Sequence, residues 1–334
     1  MFSLRTHNPM IKPAGFSLVE LMVAMALSMV LLLGVVSIYT NSKQTYNTQE
    51  GLSRLQENAR FAMGRLTREI AAAGFLGCLE SSRAVNNQDV VRNTLTNQGG
   101  INNFAVPVTG TNGNGANGSD IITVNRANGA TGVPVDKPML SSSSNVTLDA
   151  NHPAYADIAQ YDTVVIADCS RAAAFMVTNA PGNNGVLQHA TGVPHPTTGQ
   201  TNATTDFEWE FGSANKSLAT VMVVAGNTYS IGNSARGACT GATPGYCALL
   251  ENGFELVEGV EDMQIEYGLD NDGSGDTQVD QYVAANGVAD WSQVVAVRLT
   301  LTLNEVERVQ GANTGVTDLT RQYTSVVRIR SRGV

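Results

Sequence analysis

Proline is missing from a long part of this 334-residue chain: none occurs between Gly15 and Pro107. Nothing in that interval forces a helix to kink or stop. Charge is also scarce. Charged residues make up 15% of the chain, against about 25% in a typical soluble domain. That excludes a highly charged disordered chain. Lys and Arg are absent from residues 251–290, a segment holding eleven acids. Acids are absent from residues 1–15 and from the last fourteen. The formal net charge of −9 therefore comes from one segment. An acidic chain lacks the cations that neutralise phosphates, so nucleic acid is not an expected partner. The basic C-terminus, with Arg328 and Arg330, is the sole feature that fits a DNA-binding module. No G-x-S-x-G, H-E-x-x-H, P-loop or CxxC motif occurs. The carboxylates of 251–290 lie beside Asp-Gly turns and lack an acid/base arrangement. The chain therefore reads as a non-enzyme, with a membrane-tethered exported enzyme as a weaker alternative.

From Phe16 to Tyr39 runs an apolar stretch interrupted only by Ser17, Glu20, Ser28 and Ser37, with Gly34 as a small residue. About 20 such residues span a bilayer as a helix. Arg5 and Lys12 precede it, which keeps its N-terminus cytoplasmic and sends the rest of the chain outward. A secretory cleavage site at Ala24-Met25-Ala26 is poorly placed, because the apolar run continues past it. Beyond Tyr39 the pattern stays helical. Leu52, Leu55, Ala59, Ala62, Leu66, Ile70 and Ala73 recur at three- and four-residue steps, opposite Arg54, Glu57, Arg60, Arg65, Arg68 and Glu69. The spacing predicts one helix over 16–73, about 87 Å long. Gly74 and Gly77 provide its stop.

Lys12-Pro13-Ala14-Gly15-Phe16-Ser17-Leu18-Val19-Glu20-Leu21 resembles the class III leader of type IV pilins and pseudopilins. That resemblance implies cleavage by a prepilin peptidase between Gly15 and Phe16, methylation of Phe16, and a role for Glu20 in assembly. Glu20 also stands three residues after Ser17, the spacing of a capping box. A carboxylate inside a membrane helix costs about 2.5–3.5 kcal/mol on insertion scales. Its functional reading is a pair with the Phe16 amine that sets axial register. Major pilins often have a proline in this helix; here only Gly34 and Gly51 interrupt it.

Period-2 alternation marks strands further on. Met263, Ile265, Tyr267 and Leu269 alternate with polar residues, as do Val295 to Leu303, and Val327 and Ile329 around Arg328. Thr163–Ala167, Ala173–Val177 and Leu218–Val224 also read as strands. Residues 93–145 are rich in Asn, Gly, Ser and Thr and read mostly as loop. Gly113 to Gly118 spells the dinucleotide fingerprint, but a strand-like Ile121–Val124 follows where the mechanism needs a helix, so a turn is expected. Residues 256–268, Gly77-Cys78, the Ala167-Asp168-Cys169 strand end and Trp291 leading into Val294–Leu301 resemble PilW-type minor pilins. The resemblance implies an α+β, type IV pilin-like fold: a long N-terminal helix packed on an antiparallel β-sheet with long loops. The expected divisions are a leader (1–15), a transmembrane half-helix (16–39), an amphipathic half-helix (40–75) and an exported β-rich domain (76–334). It further implies a single-pass inner-membrane precursor with a periplasmic domain, later built into an extracellular pilus, with roles in adhesion and twitching. Implied partners are the prepilin peptidase, the major pilin, other minor pilins and a tip adhesin. A type II secretion pseudopilin is the close alternative.

The four cysteines, Cys78, Cys169, Cys239 and Cys247, all fall on the exported side, where disulfides form. Four cysteines allow three connectivities. Cys239–Cys247 closes a short turn containing Gly241, Pro244 and Gly245, and Cys78–Cys169 would tie the helix end to the sheet. A metal site is the rival, but His7, His152, His189 and His195 are not spaced as ligands beside the cysteines. Asp270, Asp272 and Ser274, followed by Gly275, open like a calcium loop, with Asp276 and Asp280 as further oxygen ligands. Step twelve is Gln281 rather than Glu, and no helices flank the loop, so this is not an EF-hand. A solvated Asp/Gly turn is the alternative to calcium here.

Overall fold

The computed structural model describes residues 15, 17–77, 79, 90–104, 106–212, 219–272, 277–305, 309–311, 315–317 and 319–332. A single helix, α1 (Leu18–Ala71), runs for 54 residues, about 81 Å. Ser17 caps it in an extended conformation, its Oγ accepting from the Glu20 N–H at 3.2 Å. The two halves of α1 differ in what they meet. Leu18 to Tyr39 is exposed throughout, whereas Gly51, Leu55, Ala59, Ala62, Leu66, Glu69 and Ile70 are buried. Gly51 has a packing reason. A Cβ there would collide with the Glu305 carboxylate, which packs directly over the glycine and would have to move aside. After Ala71 the chain turns at Gly74, whose φ of +70° favours glycine and whose N–H donates to Asn125 O at 2.7 Å.

Seventeen strands follow among the described residues. β1 to β5 are Val91–Asn93, Val108–Thr111, Ile121–Ala127, Val133–Lys137 and Val146–Leu148. β6 to β11 are Thr163–Ala167, Ala172–Met176, Val186–Leu187, Thr220–Asn233, Cys247–Glu251 and Phe254–Glu258. β12 to β17 are Val260–Leu269, Gln281–Val283, Val294–Asn304, Val309–Gly311, Gly315–Thr317 and Thr320–Arg328. β13, β12, β14 and β17 form a four-stranded antiparallel sheet in that order. Its inner face carries Met263, Ile265, Tyr267, Val297, Leu299, Leu301 and Leu303, which share one core with Leu55, Ala59, Ala62, Leu66 and Ile70 of α1. Each fully buried aliphatic side chain there contributes about 1.5–3 kcal/mol. This is the expected antiparallel sheet on a long helix, and the fold is α+β.

A second sheet of eleven strands was not anticipated. It is antiparallel except for the parallel pair β1 and β7. Its long strand β9, 14 residues, pairs with β4 and β6 toward its start and with β3 and β10 toward its end. Val164, Ile166, Phe175, Phe207, Phe211 and Val221 fill a core distant in composition from α1. Several local expectations shift accordingly. The strand expected at Ala173–Val177 is Ala172–Met176, and the one expected at Leu218–Val224 runs as Thr220–Asn233, Leu218 lying outside the described residues. Residues 93–145 hold three complete strands: β3, foreseen at Ile121–Val124, pairs with the adjacent β2 and with the distant β9, and β4 also pairs with β9. Leu52 is only half-buried, and Ile329, expected within the last strand, lies one residue past the end of β17 yet remains buried.

Candidate assembly and cation sites

At the start of α1 the polar groups of the apolar segment are satisfied within the helix. Ser17 Oγ caps the first turn, and the Ser28 hydroxyl donates to Ala24 O at 2.7 Å. Glu20 is the one charged side chain there, and it is exposed on bare helix surface. None of the most apolar 18-residue window of α1 is buried in the protein. That surface matches hydrocarbon or other apolar helices, and in either setting a carboxylate such as Glu20 is costly. Gly15 is exposed; Phe16 lies outside the described residues.

The aspartate-rich loop leaves β12 and enters β13. Asp270, Asp272 and Asp280 bring carboxylate oxygens within 4.8 Å of one another, with Asp270 buried and the other two exposed. Ser274 and Asp276, the other expected ligands, lie outside the described residues. The loop has its own backbone frame. Asp280 Oδ2 accepts from the N–H groups of Asn271 (2.7 Å) and Asp272 (2.9 Å), and the Asp280 N–H donates to Leu269 O at 2.8 Å. Asp280 thus caps the turn through Oδ2. Three carboxylates this close repel one another in the absence of a cation, and oxygen donors of this kind suit a hard divalent ion. Most other acids of 251–290 have structural partners rather than forming one patch. Glu251 meets Arg65, Glu266 meets Arg298, Glu261 accepts from Asn304 and Asp290 caps Ser292.

Glu69 was assigned to the solvent face of the helix and is instead buried. It receives Arg126 through Nε (3.0 Å) and a terminal nitrogen (3.3 Å), Arg65 at 3.1 Å and the Asn227 amide at 3.3 Å. Arg65 reaches on to Glu251 at 2.6 Å, and the Tyr229 hydroxyl donates to the same carboxylate at 3.0 Å. Burial alone would raise the Glu69 carboxyl, but Arg126, Arg65 and Asn227 outweigh it and hold it below the ordinary carboxylate range. Burial, with Glu69 and Glu251 nearby, pushes the Tyr229 hydroxyl far up. Arg126, Asn227, Tyr229 and Glu251 all belong to the eleven-stranded sheet, so this network fastens the end of α1 to it. The clue in the sequence was position: Glu69 stands three residues after Leu66, inside the buried stripe.

Asp120 was also missed. It is buried, its two oxygens accept from Gly113 N and Ile265 N, each at 2.8 Å, and its own N–H donates to Met263 O. It staples the Gly113–Gly118 segment onto β12 as a turn, the reading preferred over a nucleotide loop. Cys239 and Cys247 form a disulfide. Cys169 is disulfide-bonded as well, and its expected partner, Cys78, lies outside the described residues. No described cysteine is free.

A helix bare and apolar at its N-terminal half, and packed on an antiparallel sheet at the other, defines a pilin-like subunit. Two family models match the chain: the prokaryotic N-terminal methylation motif over residues 10–36, and the type IV pilus-assembly protein W, PilW, over residues 228–329. The two matches support a type IV pilin-like minor pilin, and the chain resembles PilW over the second of them. The second match spans the helix-packing sheet and the second half of β9. No curated protein and no solved structure matches the chain.

Proposed function

We propose that this minor pilin acts in the initiating or tip complex of a type IV pilus. In this reading a prepilin peptidase cuts between Gly15 and Phe16, Phe16 is methylated, and the domain beyond the helix faces the periplasm before assembly. Glu20 then pairs with the amine of Phe16, its own or a neighbour's, as the helix leaves the bilayer. The single observation that carries the tip position is the second β body. Its core is built without helix residues. Every subunit of a repeating filament lattice has neighbours above and below, so added mass is accommodated best at an end. There it meets other minor pilins, the first major pilin and a tip adhesin. The role is one of contacts rather than catalysis.

The assembly reading predicts that Glu20→Ala leaves cleavage intact, seen as the unchanged mass of the processed chain, and reduces its incorporation into sheared pili. Unimpaired incorporation removes the register role of Glu20. Deleting the chain is expected to abolish surface pili. Loss of secreted enzymes with pili intact would assign it instead to a type II secretion pseudopilus.

A further inference from the structure

The edges of the eleven-stranded sheet are short or covered. β1, β8 and β11 have three, two and five residues, and the Asn58 amide donates to Glu258 O along β11. In the helix-packing sheet, β13 is a three-residue edge. The opposite edge, β17, is different. It runs nine residues, keeps perfect register with β14 and contains no proline or bulge. A long regular edge is a template for another strand unless something blunts it.

The ladder tells which groups are free. Ile329 N–H donates to Val295 O at 3.0 Å. In an antiparallel pair both backbone groups of one residue face the same neighbour, and those of the next residue face away. Residues 321, 323, 325 and 327 therefore bond β14. The N–H and C=O groups of Thr320, Gln322, Thr324, Val326 and Arg328 point to the open side. All five residues are exposed, and none of these backbone groups bonds a described residue. The Thr300 and Thr324 hydroxyls meet at 3.0 Å, as expected for the close, non-hydrogen-bonded rung.

Charge selects the occupant. Residues 319–332 carry Arg321, Arg328, Arg330 and Arg332 and no acid. Arg321 and Arg330 are exposed and form no ion pair with a described residue, whereas Arg328 is used by Thr277. A second copy of β17 would bring further arginines and no acid, so it offers these arginines no partner. We propose that β17 is a docking edge on which an extended, carboxylate-bearing segment of a different filament subunit adds as a fifth strand. Main-chain hydrogen bonds supply the attachment and the arginines supply the choice of partner. The inference rests on the filament reading given above.

The test uses the full-length chain in piliated cells, with the photo-crosslinker p-benzoylphenylalanine in place of Gln322. The expected product is a cross-link to another pilus subunit, mapping to an extended segment that contains Asp or Glu. Thr324→Pro removes an outward N–H and leaves the β14 rungs intact, so the yield should fall at least tenfold. Arg321→Glu with Arg330→Glu, which touches no described contact, should lower it to a similar extent. A chain present in the pilus fraction without this cross-link overturns the docking edge alone. So does a cross-link to a second copy, to lipid or to DNA, or a yield unchanged in both variants. A chain absent from the pilus fraction overturns the filament reading and this inference with it.

Discussion

Replacing Glu69 with alanine removes the acceptor that gathers Arg126, Arg65 and Asn227 at the end of α1. The Glu69 side chain is 4% exposed, while Arg126 and Arg65 retain 20% and 30%. Removing one partner of a buried ion pair costs about 3–5 kcal/mol, because the other charge is left uncompensated. Here both arginines still reach water and Arg65 keeps Glu251, so the loss should lie at the lower end, about 3 kcal/mol. At about 2–4 °C per kcal/mol for a domain of this size, Tm falls by about 6–12 °C. Thermal unfolding of the full-length chain in detergent, followed through Trp209 and Trp291, reads that shift. Glu69→Met combined with Arg126→Met should recover most of it, since an apolar replacement of the whole pair leaves no stranded charge. A loss under about 1 kcal/mol for Glu69→Ala would give the network only the worth of a surface pair and refute the argument. The pH dependence supplies a second check. The folded-state carboxyl sits below its ordinary value of 4.5, so the unfolded chain takes up the proton first as pH drops. The contribution is complete above that ordinary value and disappears as pH falls through the folded one. The natural chain should therefore lose stability in acid more steeply than Glu69→Ala.

Three further outcomes are expected. Cys247→Ser opens the Cys239 loop and should cost about 2–3 kcal/mol in the chain-entropy model, read by urea unfolding; four free thiols in unreduced exported protein would contradict the bonded state altogether. Millimolar calcium should raise the Tm of the full-length chain through the Asp270, Asp272 and Asp280 loop, and Asp280→Asn should abolish the rise; an unchanged Tm removes calcium from this loop. His189 is buried, stacked on Phe207, with Nε2 on Ser144 O and a buried, unbonded Nδ1. Burial pushes its pKa below the ordinary 6.5, so its stabilising neutral form is complete above that value and is eroded as pH falls. His189→Phe should flatten the stability curve below pH 6.5, and an unchanged slope there would rule the histidine out.

The parts of this molecule that could be read from its sequence are those with a periodic signal. The α1 stripe from Leu55 to Ile70 and the alternating strands β12 and β14 each face one core and water, so hydrophobicity repeats with the element's own period. β7 is buried along its whole length, Ala172 to Met176, and shows no alternation, so it was legible only as an apolar run, displaced by one residue. β2, β4 and β5 are too short to show any. The same divide separates the sites. Cys239 and Cys247 are eight residues apart around turn-forming residues, so their pairing is local. Asp120 acts through Ile265, 145 residues away, and Glu69 through Arg126 and Asn227. A charged residue within an apolar stripe was legible as a position but not as a partner.

β9 threads both bodies. Tyr229 and Ile231 belong to the core against α1, and Val221 to the core beyond it. Between them its backbone stays in unbroken ladders with β6, β3 and β10. A hinge between the two bodies would have to tear those rungs, so the distal body follows the helix as a rigid lever. Tension along a filament would reach it as shear across many backbone bonds at once, rather than by peeling them one at a time. The PilW match begins at residue 228, partway along this strand. The same strand therefore joins a half that the family model describes to a half that it does not, and the second still grips the end of α1 through Asn227.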